Sequence, residues 1–101
     1  MSCLDTEQHI IDELVCIAET TSMTFSQTHI KCGVDKTVEL LFPMTLRRDL
    51  QPIVDKYPSL SSIVVDAKPG TDTEVQANVT YHFYDGSSGG FRIQAIQSPQ
   101  E

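Results

Sequence analysis

The chain has 101 residues, 40% of them hydrophobic and 21% charged, which is the size and composition of one globular domain. Fourteen acids against seven bases give a net charge of −7, and the bases are scattered, with only Arg47 and Arg48 adjacent. A phosphate backbone demands clustered cations, so direct nucleic-acid binding is not expected; nor is any apolar run near the about 20 residues that a membrane-spanning helix needs.

A domain this short removes roughly 65% of its unfolded surface from water, enough for one core and no second. The expected domain is 5–97, with short flexible tails at 1–4 and 98–101. Cys3, Cys16 and Cys32 form an odd set whose spacing matches neither a zinc knuckle nor a small disulfide scaffold, and no secretory apolar segment precedes them. A reducing cytoplasmic or nuclear compartment follows as the expectation. The sequon Asn78-Val79-Thr80 lies inside a strand pattern and reads as coincidental.

The stretch "LDTEQHIIDELVCIAETT" predicts a first helix. Asp5 has the position of an N-cap, with Gln8 three residues on, and Glu7 lies in the first turn, where the helix dipole favours anions. At 100° per residue, Ile10, Ile11, Leu14, Val15, Ile17 and Ala18 share one side, with His9, Asp12, Glu13, Cys16 and Glu19 on the other. After Ser22 the composition turns β-rich. "MTFSQTHIKCGV" and "TVELLFP", parted by a turn over Gly33 to Lys36, predict an antiparallel hairpin.

In "TLRRDLQPIVDKYPSL", Leu46, Leu50, Ile53, Val54 and Tyr57 have helical spacing. An interior proline costs about 3 kcal/mol, so Pro52 places the helix start at Asp49, and the helix must end before Pro58. "SSIVVDA" is a short strand and "KPGTD" a turn. From Thr73 to Tyr84 the alternation is strict, with Val75, Ala77, Val79, Tyr81 and Phe83 on one face and Glu74, Gln76, Asn78, Thr80, His82 and Tyr84 on the other. Phe91, Ile93 and Ala95 continue the apolar face on a last strand.

Asp85 to Gly90 lies between two strands and lacks both GxGxxG spacing and a following Lys-Ser/Thr pair, so it reads as a hairpin loop rather than a phosphate cradle. Matching apolar residues pairs Phe83 with Phe91, Tyr81 with Ile93 and Val79 with Ala95, and sets His82 opposite Arg92 and Thr80 opposite Gln94. The predicted fold is α+β, in the order α-β-β-α-β-β-β, with two helices on one face of a mostly antiparallel sheet of about five strands.

Catalytic patterns are weak. His9, Glu13 and Cys16 span two helical turns, about 10 Å, which is poor geometry for one metal ion. The possible Cys-His pairs among Cys16, Cys32, His9, His29 and His82 have no nucleophile signature, and the turn aspartates Asp66, Asp72 and Asp85 suit backbone capping. The expectation is therefore no metal, no cofactor, no catalytic residue and, on balance, no enzyme. The outward sheet face is different. Asn78, Thr80, His82, Tyr84, Arg92, Gln94 and Ile96 are poor in Lys and Glu, as interfaces are. They point to a non-enzymatic interaction module, an adaptor or assembly subunit that presents a sheet face or edge to a protein partner, with a homodimer as one form. Two alternatives remain open: a small enzyme or small-ligand binder with a pocket between helices and sheet, and an acidic inhibitor that occupies a cationic nucleic-acid-binding groove.

Overall fold

The computed structural model describes residues 6–30 and 34–96. Asp5, Cys3, Cys32, Gly33 and both expected tails, 1–4 and 98–101, lie outside the described residues. The elements are α1 (Thr6–His29), α2 (Lys36–Lys56), β1 (Leu60–Thr71), β2 (Glu74–Phe83) and β3 (Ser88–Ile96). The strands form an antiparallel meander in the order β1-β2-β3, so the fold is α+β with two helices on one face of a three-stranded sheet.

The expected order α-β-β-α-β-β-β is corrected here. "MTFSQTHI" completes α1, and "TVELLFP" opens α2. Thr, Phe and Ile favour strands only weakly, and burial outweighs that preference when the apolar stripe continues at helical spacing. Leu14, Ala18, Thr21, Ser22 and Phe25 do so on α1, and Phe42, Leu46, Leu50 and Ile53 on α2, all of them buried. The start of α2 is set by Asp35 rather than Asp49: the Asp35 carboxylate accepts the Val38 backbone N–H at 2.8 Å. Helix geometry persists through both Pro43 and Pro52. Asp49 is instead an interior residue that receives the Thr21 hydroxyl at 2.8 Å, satisfying a buried polar group at the α1–α2 seam.

The alternation across β2 is as the sequence implies: Val75, Ala77, Val79 and Phe83 are buried against the helices. Phe25 stacks at 5.0 Å on Phe42 to join the two helices in the core. The last hairpin has a different register from the expected one. Val79 pairs with Phe91, Ala77 with Ile93 and Val75 with Ala95, a slide of four residues. An even slide keeps every side chain on its expected face, so apolar matching alone does not detect it. The turn chemistry decides: Gly86 takes φ +96°, Asp85 accepts the Ser87 backbone N–H at 2.8 Å, and Phe83 N–H bonds to the Ser87 carbonyl at 2.9 Å. Gly89, opposite Tyr81, leaves room for that ring, since a Cβ there would lie 2.5 Å from the Tyr81 hydroxyl.

Candidate functional site: the outward sheet face

With both helices on one side, no element among the described residues covers the other side of the sheet. Alternation sends Ser62, Val64, Asp66 and Lys68 of β1 to this side, with Glu74, Gln76, Asn78, Thr80 and His82 of β2 and Arg92, Gln94 and Ile96 of β3. The register arranges them in rows across the three strands. One row is Asp66–Asn78–Arg92, and the next is Val64–Thr80–Gly90. Lys68–Gln76–Gln94 lies on one side of these rows and Ser62–His82–Ser88 on the other.

The seven residues singled out in the sequence are therefore distributed as follows. Asn78, Thr80, Arg92 and Gln94 are neighbours in the middle of the face. Arg92 stands opposite Asn78, not His82; Thr80 stands opposite Gly90, not Gln94, because of the four-residue slide. His82 is exposed at one end, and Ile96, 49% exposed, is at the other. Tyr84 is 75% exposed but lies beyond β2, in the hairpin loop, where its backbone N–H bonds to Ser59. Sequence reasoning missed the β1 contribution of Val64, Asp66 and Lys68. The alternation in "SSIVVDAK" carries that signal, but its continuous apolar centre hides which residues face out.

The sheet edges are different from the face. On β3, Ser22 and Ser26 of α1 donate to the carbonyls of Gln94 and Ile96. Four helical residues rise about 6 Å and two strand residues about 6.6 Å, so serines one turn apart match alternate carbonyls. On β1, Arg47 of α2 donates to the Val65 carbonyl at 3.1 Å. Helix side chains thus occupy backbone acceptors on both outer strands, which blunts them as templates for another strand.

The polar stripe of α1 resolves into two unlike carboxylates. Glu13 accepts the Tyr57 hydroxyl at 2.5 Å and the Lys56 ammonium at 3.1 Å. These bonds hold its carboxyl below the usual range and raise the Tyr57 hydroxyl and Lys56 ammonium above theirs. Glu13 is accordingly a clasp between the start of α1 and the end of α2, not part of a solvated face. Glu7, in the first turn of α1, accepts the Ser87 hydroxyl of the hairpin loop at 3.3 Å, and the neighbouring Asp85 pushes its carboxyl up. His9 lies 4.0 Å from Glu13, while Cys16 is exposed and free. Among the described residues no group of three potential ligands converges as a metal site requires.

The surface of the described residues includes several depressions. One lies over Gly90 on the outward face, with a volume of about 280 Å³, between Asn78, Thr80 and Arg92. A second, about 400 Å³, runs between α1 and β3 beside Met23 and Ile96. A third, about 340 Å³, lies between Leu40 of α2 and Pro69 of β1. The buried core residues pack between the helices and the sheet. No helix among the described residues is long and apolar enough to cross a membrane. The sequence matches no known family profile and no curated protein.

Proposed function

We propose that this protein is a non-enzymatic interaction module that presents the outward face of its sheet to a protein partner. The observation that carries this reading is the charge distribution. Asp66 and Glu74 are offset on that face by Lys68 and Arg92, so it is neutral in a molecule of net charge −7. A neutral, hydrogen-bonding face with Arg92 near its middle can dock without the long-range repulsion that the rest of the surface carries. The blunted edges support the face, not an edge, as the working surface.

Capture from native cells on immobilised wild-type protein and on Thr80→Arg and Asp12→Asn variants tests this. Proteins held by wild type and by Asp12→Asn, on exposed α1, should be lost with Thr80→Arg. If everything bound by wild type is also bound by Thr80→Arg, the reading is wrong.

A further inference from the structure

We infer that the outward face pairs with the same face of a second copy of this chain, about a two-fold axis that runs along β2. The inference rests on the reading of that face as the working surface and names its occupant. A two-fold axis along the central strand, between two stacked sheets, lays β1 of one copy over β3 of the other and keeps every row in register. The consequences follow from residues already placed.

In the row Asp66–Asn78–Arg92 the opposite charges stand on the two outer strands, symmetric about Asn78. They are two strand spacings apart, about 10 Å, and among the described residues neither side chain makes a hydrogen bond or ion pair. The two-fold operation brings Asp66 over Arg92 of the second copy and Arg92 over Asp66 of the second copy, forming two reciprocal ion pairs. Asn78 meets Asn78, which can donate and accept at once.

The neighbouring row adds shape. Val64 is 43% exposed on β1, and Gly90, opposite on β3, has no side chain and floors the 280 Å³ hollow. The same operation seats each Val64 in the hollow over Gly90 of the other copy. A Cβ at Gly90 would lie 2.8 Å from the Val79 carbonyl, so the backbone itself favours an empty position there. Lys68 falls over Gln94. The one like-charge meeting is Glu74 with its own copy, at the end of the face, where water screens it.

Three strands about 4.8 Å apart and about eight residues long give a flat footprint of about 400 Å² per copy before side-chain relief. The pair would bury about 800 Å² of flat surface in total, below the about 1,000 Å² of a stable specific interface, which makes it a weak, reversible dimer rather than an obligate one.

The experiment is sedimentation velocity on wild type, Arg92→Asp, Asp66→Arg, Val64→Asp and Glu74→Gln, with circular dichroism confirming that each is folded. Wild type should dimerise as concentration rises toward about 100 µM. Arg92→Asp and Asp66→Arg should each weaken self-association by about tenfold or more, since each sets like charges opposite one another, and an equimolar mixture of the two should regain the dimer because every cross-pair is then opposite in sign. Val64→Asp should weaken the dimer and Glu74→Gln tighten it. A wild type that stays monomeric, or a dimer indifferent to these changes, overturns the inference. In that event, loss of captured proteins with Thr80→Arg would still uphold the face as a docking surface for another partner. Retention of those proteins would remove the broader reading as well.

Discussion

At the residue scale, Glu7 and Glu13 lie on one helix yet contribute to stability with opposite sign. The folded-state pKa of Glu13 is lowered by its bonds to Tyr57 and Lys56, so its contribution is present above about pH 4.5 and is lost as pH falls through the lower folded value. Glu7 is raised beside Asp85, so its ionisation above pH 4.5 opposes folding. Thermal melts of Glu13→Gln and Glu7→Gln should therefore shift in opposite directions at pH 7, down for the first and up for the second. The Glu13→Gln difference should shrink on acidification to pH 3. Equal shifts in one direction would show that the Glu13 clasp or the Glu7–Asp85 contact is absent in solution.

At the scale of elements, the serine ladder and the prolines make separate predictions. Ser22 is nearly buried, and Ser22→Ala leaves the Gln94 carbonyl without its α1 donor, a loss of about 1–2 kcal/mol in chemical denaturation. Pro52 is exposed inside α2, where it removes the N–H that would reach the Arg48 carbonyl, so Pro52→Ala should stabilise by about 1–3 kcal/mol. Gly70 packs against the Glu74 carbonyl beside the register shift at Lys68/Thr71, and Gly70→Ala should cost about 1–3 kcal/mol. A stabilising Gly70→Ala, or an unaffected Ser22→Ala, would contradict the packing described. The same elements show what was legible in advance. The strict alternation of β2 and the early stripe of α1 follow from periodicity, because burial on one face imposes it. Pro52 misdirected the start of α2, since local proline cost argued for a short helix while long-range packing of Phe42 and Leu46 sustained a long one. The register of β3 was hidden for a different reason: a slide of four preserves both faces, and only the loop conformation at Gly86 distinguishes the alternatives. The β1 half of the outward face went unread because Ile63, Val64 and Val65 form an unbroken apolar run.

At the scale of the whole molecule, the core is continuous from α1 through α2 into all three strands, so one cooperative unfolding transition is expected. Phe42→Ala, at the centre of that core, should cost about 3–5 kcal/mol, a large part of the roughly 5–15 kcal/mol available to a domain of this size. A loss below about 1 kcal/mol would mean that Phe42 is not packed as described. The molecule measures 49 × 24 × 18 Å, long because α1 lies along β3 for most of its length, from the Glu7–Ser87 contact to the Ser26–Ile96 bond. That seam joins the first element to the last across about seventy residues, and it has a consequence for biosynthesis. A ribosome delivers α1 long before β3, so a nascent chain whose emerged part ends at Phe83 holds both helices and the first hairpin, yet still exposes the flank of α1 that β3 will cover. Closure is thus a late event in synthesis, and a stalled nascent chain whose emerged part ends before Ser88 should be far more sensitive to protease within α1 than one from which Ile96 has also emerged.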